Sequence, residues 1–176
     1  MVKSFFLYLG NLDSRLCVIV STYTGKRYLD KSMYYITRSG DGPLYAIVAL
    51  LMLIFAFDTG FLFLVAGSLA FVIEIVIQKL IKHKVKRQRP GASVKGIRFL
   101  VSPPDQFSFP SGHTAGAFIM GVLTLYFFPF LTIPVFMWAG LMGFSRIYNG
   151  VHFPTDVFAG ALLGIVSAFG AILIVI

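Results

Sequence analysis

Along this chain apolar residues gather in four long stretches, and polar residues gather between them. Residues 43–57 form the first stretch, which stops at the turn-like Asp58-Thr59-Gly60. Residues 61–81 form the second, interrupted only by Glu74, Gln78 and Lys79. As helices these reach roughly 22 and 31 Å against a hydrocarbon core of about 30 Å, so the first is short and should begin further upstream. The third stretch, residues 114–144, would be roughly 46 Å long as one helix, too long for a single crossing. Pro129 and Pro134 fall near its middle, which predicts a helical hairpin turning around residues 128–134. The fourth runs from Pro154 to Ile176.

Residues 1–42 read differently. Asp13, Arg15, Lys26, Arg27, Asp30, Lys31 and Arg38 are spread through them, and no stretch is long and uncharged enough to span. One or two amphipathic helices lying in the membrane interface are expected there. A polar segment, residues 82–109, contains Pro90-Gly91 and Pro103-Pro104 and separates the second and third stretches. The expectation is therefore an all-α, multi-pass transmembrane helix bundle over residues 43–176, with about five crossings, six being the alternative, and interfacial N-terminal helices over 1–42. No internal repeat is evident. In this layout the second crossing ends, the third begins, the fourth ends and the fifth begins on one side of the membrane, and the polar residues gather on that side.

Composition strengthens the membrane assignment. Of 176 residues, one domain's worth, 57% are hydrophobic and only 12% charged, where a soluble domain carries about a quarter charged residues. Mean hydropathy is +0.85, more apolar surface than a soluble core of this size hides. The net charge of +8 would suggest nucleic acid in a soluble protein. Here the cations sit at the edges of apolar runs, where anionic headgroups or a phosphorylated substrate are the natural partners, and no nucleic-acid partner is expected. Cys17 is the single cysteine, so no intrachain disulfide can form. Residues 1–10 lack a small-residue cleavage site before Asn11, so a cleaved signal peptide is not expected.

Three motifs fall on the polar side. In Lys82-His83-Lys84-Val85-Lys86-Arg87-Gln88-Arg89-Pro90, Lys82 and Arg89 are seven residues apart, about two helical turns, and share a face if the helix continues. Alone, such a basic run is usually a headgroup contact. Pro110-Ser111-Gly112-His113 precedes the third crossing. Ser111 suits an N-cap, and Gly112 lets an anion approach the free N–H groups of the first turn; an ordinary cap beside an interfacial histidine is the plainer reading. Ser145-Arg146, His152 and Asp156 span the loop between the fourth and fifth crossings, with Pro154 suited to the first helical turn. A carboxylate near one imidazole nitrogen fixes the tautomer and frees the other as a nucleophile. A solvated loop pair is the alternative. The topology, drawn without reference to these residues, brings all three together: three cations, two histidines, a carboxylate and two helix N-termini. That constellation suits a dianion whose phosphorus one histidine attacks while the other protonates the leaving oxygen.

Lys82-x6-Arg89-Pro90, Pro110-Ser111-Gly112-His113 and Ser145-Arg146-x5-His152-x3-Asp156 together resemble the three-part signature of the type 2 phosphatidic acid phosphatase (PAP2) family. The superfamily also holds bacterial acid phosphatases, glucose-6-phosphatase and vanadium haloperoxidases. The resemblance covers roughly residues 40–176; residues 1–42 depart from six-crossing members and resemble shorter bacterial ones. It implies a metal-independent, cofactor-free integral membrane phosphatase. His152 would form a phosphohistidine, Asp156 would orient it, and His113 would be general acid and then base. Lys82, Arg89, Arg146, Ser111 and the Gly112 N–H would hold the phosphoryl oxygens, as phosphoryl transfer requires. It also implies a site on the periplasmic face of a bacterial inner membrane, although the excess of Lys and Arg on that side would be read as cytoplasmic. Phosphatidic acid, phosphatidylglycerophosphate, a polyprenyl diphosphate and lipid A phosphate are all admissible substrates.

Other readings remain for single residues and for the whole. His113, His152 and Asp156 resemble a metal-binding set, which three nearby cations would oppose. Glu74 and Gln78 precede Lys82 at four-residue spacing, so Glu74 is expected to tether Lys82 or bond a neighbouring helix. His83 reads as a bystander, Tyr148 and Asn149 as weak site-lining candidates, and Trp138 with the many Phe residues as lipid-facing or packing groups. A membrane lipid transporter or scramblase, and a vanadate-dependent haloperoxidase-like enzyme, are the competing functions.

Overall fold

The computed structural model describes residues 2–176, with side chains from Leu9 onward. Met1 and the side chains of residues 2–8 lie outside the described residues, and with them most of the segment in which no cleavage site is expected. The chain folds into helices throughout, with no strand among the described residues. They are α1 (Val2–Ser21), α2 (Arg27–Arg38), α3 (Gly42–Phe55), α4 (Phe57–Val85), the single turn α5 (Pro90–Ser93), α6 (Gly112–Phe127), α7 (Thr132–Tyr148) and α8 (Pro154–Val175).

The helix limits follow local chemistry. Pro43, Pro90 and Pro154 each sit in a first turn, where the missing N–H is no loss. α4 ends at Lys86, which is left-handed with φ +49°, and carries Lys82, His83 and Lys84 in its last turn, where cations complement the negative helix end. The hairpin expected around residues 128–134 is present: α6 stops at Phe127, a 3₁₀ turn spans Pro129–Leu131, and Pro134 lies in the first turn of α7.

Five helices occupy the places of the five expected crossings. The helices containing α4, α7 and α8 are each long and apolar enough to cross a bilayer. α3, with 14 residues, reaches the length of a fourth only when counted with α2, from which it is bent by 59°. α6 is apolar but only 16 residues long, roughly 24 Å. The outward faces carry large apolar side chains, among them Phe55, Leu80, Phe130, Phe158 and Leu173, as expected for groups facing lipid.

Within the bundle, Phe63, Ile119, Leu123 and Ile172 are buried together with Ala66, Ala70 and Ala168. Small residues bring the backbones close. A β-carbon at Gly160 or Gly164 of α8 would collide with the carbonyl of Ser111 or Ala115 on α6, the close approach that small-residue spacing permits in membranes. This contact fixes the start of α6 against the start of α8, and the Ser111 N–H donates to the Asp156 carbonyl at 3.0 Å.

The N-terminal helices pack on the motif-bearing end of the bundle. Tyr148 Oη donates its proton to Asp30 Oδ1 at 2.6 Å and lies 3.0 Å from the Tyr23 carbonyl, and Asn149 Nδ2 donates to the Met33 carbonyl at 3.3 Å. Tyr148 and Asn149 therefore fasten α7 to α2 and its preceding turn; the expected site-lining role is not what their hydrogen bonds serve. Trp138 packs in the core and donates Nε1–H to Ser39 Oγ at 2.8 Å.

Candidate active site

All eight residues singled out from the motifs lie at one end of the bundle. Lys82 is in the last turn of α4, Arg89 just before α5, Ser111, Gly112 and His113 at the start of α6, Arg146 in the last turn of α7, His152 in the α7–α8 loop and Asp156 in the first turn of α8. Lys82, Arg89, Ser111, Arg146, His152 and Asp156 are buried, an arrangement that costs heavily unless the charges are paired or await a ligand.

His152 stands between a cation and a carboxylate. Its Nε2 lies 3.2 Å from Arg89 Nη1, and its Nδ1 lies 3.6 Å from Asp156 Oδ2. A guanidinium only donates, so Nε2 is the acceptor and the proton sits on Nδ1, facing Asp156. Burial, and then the charges of Arg146, Arg89 and Lys82, push the imidazole well below its ordinary range, so it is neutral. At 3.6 Å the Asp156 contact is longer than a hydrogen bond, and the Asp156 oxygens are held elsewhere: Oδ2 accepts from the Phe153 N–H at 2.8 Å, and Oδ1 from Arg87 Nη1 at 2.6 Å.

Nothing in the sequence distinguishes Arg87 from the other cations of its run. In the fold its guanidinium joins Asp156 to Asp13 of α1 at 2.5 Å and to Thr155 Oγ1 at 2.7 Å, and stacks 4.0 Å from the Phe153 ring centre. Asp13 in turn accepts from the Thr155 N–H and hydroxyl.

Two more carboxylates appear that no motif marked. Asp105, between the first two motifs, bridges Lys82 Nζ at 2.6 Å and Arg89 Nη2 at 2.7 Å. Burial acts to raise its carboxyl, but the hydrogen bonds and charges of Lys82 and Arg89 outweigh this and hold it below the ordinary carboxylate range. A carboxylate thus sits where two cations converge on an anion. Asp41, at the head of α3, lies 3.0 Å from His113 Nε2 and also accepts from Arg38 Nη1 at 3.0 Å. An ionised carboxylate only accepts, so Nε2 of His113 carries a proton.

Arg146 donates one Nη1 bond to Thr37 Oγ1 at 2.5 Å, while its Nε and Nη2 have no partner among the described residues. Two donors buried without acceptors are free to receive oxygens of a ligand. Ser111 is at the N-cap position of α6, but its hydroxyl meets Thr114 Oγ1 at 2.9 Å and leaves the first-turn amides uncapped. His83 is exposed, its Nδ1 2.8 Å from the Lys79 carbonyl, outside the site.

Two cavities meet at these groups. One of about 540 Å³ is lined by Arg38, Asp41, His113 and Arg146 with the loop residues 100–104. Another of about 340 Å³ contains Lys82, His113 and His152 and runs between α3, α4 and α6 past Gln78, Glu74 and Tyr45 to Phe71.

A sequence model of the PAP2 superfamily matches residues 59–176. The decaprenylphosphoryl-5-phosphoribose phosphatase of Mycobacterium tuberculosis is 42% identical over 113 residues, 62% of this chain and 58% of that protein; the chain thus spans little more than half of that relative's length. Among solved structures, LpxE of Aquifex aeolicus superposes with a TM-score of 0.79 at 28% identity, covering 90% of this chain and 93% of that one. The phosphatidylglycerolphosphate phosphatase of Bacillus subtilis superposes with a TM-score of 0.75, also at 28% identity, covering 93% of this chain and 84% of that one.

Proposed function

This chain is an integral membrane protein that belongs to the PAP2 superfamily, and on that premise we propose that it hydrolyses a phosphate monoester or diphosphate of a membrane lipid through a phosphohistidine. One observation carries the reading: Lys82 and Arg146 line, with His113 and His152, two cavities that meet at the end of a membrane bundle, and Arg89 stands 3.2 Å from His152 Nε2.

In the free enzyme Arg89 donates onto His152 Nε2 and Asp105 occupies Lys82 and Arg89. An arriving phosphoryl group takes over these cations and the free donors of Arg146. Arg89 then lets go of Nε2, whose lone pair attacks phosphorus as the bond to the leaving oxygen breaks. His113 supplies the proton to that oxygen. The positive charge arising on His152 is met at Nδ1 by Asp156, which Arg87 keeps in place. Water then attacks the phosphohistidine, giving its proton to His113; the N–P bond breaks and phosphate departs. Charge on the equatorial oxygens is met throughout by fixed cations.

The lipid character of the substrate is supported by the second cavity, whose walls away from Lys82 include Phe71, Ile75 and Gly116 on membrane helices. Purified protein in detergent should release phosphate from short-chain lipid phosphates at an undiminished rate in excess chelator, measured by colorimetric phosphate assay. Loss on chelation with rescue by a divalent metal would overturn the metal-free mechanism. Lipid movement across vesicles without phosphate release would favour a transporter, and vanadate-dependent bromide oxidation a haloperoxidase.

We further place this chain in a bacterial inner membrane, with residues 1–42 lying along the interface and the catalytic end facing the periplasm. Ser93 and Asp58 are exposed at opposite ends of the bundle, and Cys17 is buried, its thiol pushed up to about 12 by burial and then by Asp13 and Asp156. In intact cells a membrane-impermeant thiol reagent should label S93C and spare D58C. The reverse pattern would turn the site to the cytoplasm.

A further inference from the structure

The cavity between α3, α4 and α6 contains polar groups that the reaction above does not use. Glu74, on the membrane-spanning helix α4, is only 3% exposed, and its Oε1 has no hydrogen-bond partner among the described residues. Tyr45 Oη, on α3, is likewise buried and unpaired. Gln78 lies between Glu74 and the catalytic end, its amide so close to α6 that a β-carbon at Gly112 would collide with it. All three line the cavity that also contains Lys82, His113 and His152.

The expected tether between Glu74 and Lys82 is not made. Lys82 Nζ turns to Asp105 at 2.6 Å, and no other side chain among the described residues bonds Glu74. A buried carboxylate and phenol left open in an apolar wall are costly, and such groups are normally satisfied by protein, water or ligand. Glu74, Gln78 and Lys82 descend α4 at four-residue steps on one face, so Glu74 lies about 12 Å along the axis from Lys82, in the cavity that His113 and His152 also line. A phosphoryl group held at Lys82 has this cavity as the way by which its leaving group reaches Gln78 and Glu74.

We propose that Glu74 and Tyr45, with Gln78, form a polar subsite for the leaving alcohol, selecting lipid phosphates whose leaving group carries a hydroxyl or N–H donor. This rests on the lipid phosphatase reading and narrows it: a phosphorylated glycerol, sugar or amino sugar fits the subsite, and a diacylglycerol leaving group, as from phosphatidic acid, leaves Glu74 unanswered. A site built to bond a hydroxyl discriminates strongly against the analogue lacking it, because its own polar groups are then stranded.

The test is a pair of short-chain lipids, one with its terminal phosphate on a glycerol bridge bearing the free hydroxyl, the other identical but with a propanediol bridge lacking it. The native protein should show kcat/KM at least about tenfold higher for the hydroxyl lipid. E74L should bring that ratio close to one, and E74Q and Y45F should lower it partway. A ratio near one in the native protein overturns the subsite, whatever the variants do. So does a parallel fall on both lipids in E74L, which marks Glu74 as purely structural. Failure to release phosphate from either lipid, or from any other lipid phosphate, strikes the lipid phosphatase reading instead.

Discussion

Arg87→Ala should both loosen the fold and cripple turnover, although Arg87 belongs to no part of the family signature. Its guanidinium holds Asp156 Oδ1 and Asp13 Oδ2 at once, and its side chain is only 24% exposed. Removing it leaves two buried carboxylates, at 0% and 3% side-chain exposure, on either side of the vacated guanidinium. Stranding one partner of a buried ion pair costs about 3 kcal/mol or more, read as a lowered melting midpoint in detergent. Asp156 is then free to swing, and His152 loses the group that steadies Nδ1; misplacement of this kind costs about a hundredfold in kcat. Arg87→Lys should recover little, because a single ammonium cannot reproduce two divergent donors while stacking on Phe153. Asp13→Asn separates the two effects: it leaves Arg87 on Asp156, so stability should fall while kcat is largely kept. An Arg87→Ala protein with native melting and native kcat would show that the network has no part in holding Asp156.

His152→Ala should lower phosphate release by about four orders of magnitude or more, as loss of a nucleophile that acts as a unit with its partners generally does. No other imidazole among the described residues stands between Arg89 and Asp156. Substrate should still bind, since Lys82, Arg89 and Arg146 remain, so kcat and not KM carries the loss. His113→Ala supplies the complementary result. With the proposed nucleophile intact and the proposed acid–base group gone, a substrate whose leaving group needs no proton should leave label on the protein. That label should be stable in alkali, labile in acid and absent from His152→Ala. Equal residual activity in His152→Ala and native protein, or label retained in the double variant, would require a different nucleophile.

The two predictions divide along the line between what is local in the chain and what is not. His152, His113, Lys82, Arg89, Ser111, Gly112, Arg146 and Asp156 are legible because each lies at a fixed spacing beside a helix end, and apolar run lengths alone bring those ends to one side. The Pro129–Pro134 hairpin is legible for the same reason: a missing N–H acts on its own turn. Arg87, Asp13, Asp41 and Asp105 are not. In the basic run Arg87 has neighbours of identical charge, and nothing local says that it alone turns inward to Asp156. Asp13 and Asp41 sit in a segment read only as amphipathic, and Asp105 in a polar loop. Their partners are 74, 72 and up to 23 residues away. Tyr148 and Asn149 show the same limit from the other direction: inside a motif by sequence, they serve the packing of α2. Glu74 points at Lys82 by helical spacing, yet Lys82 has a better-placed acceptor in Asp105. From the sequence alone come the membrane helices, their order and the side on which the charges meet, because backbone hydrogen bonding and apolar burial act along the chain. Which charge meets which is decided only in the packed bundle, because a buried ion pair needs its partners within hydrogen-bonding distance and away from water, and only the contacts between helices set both.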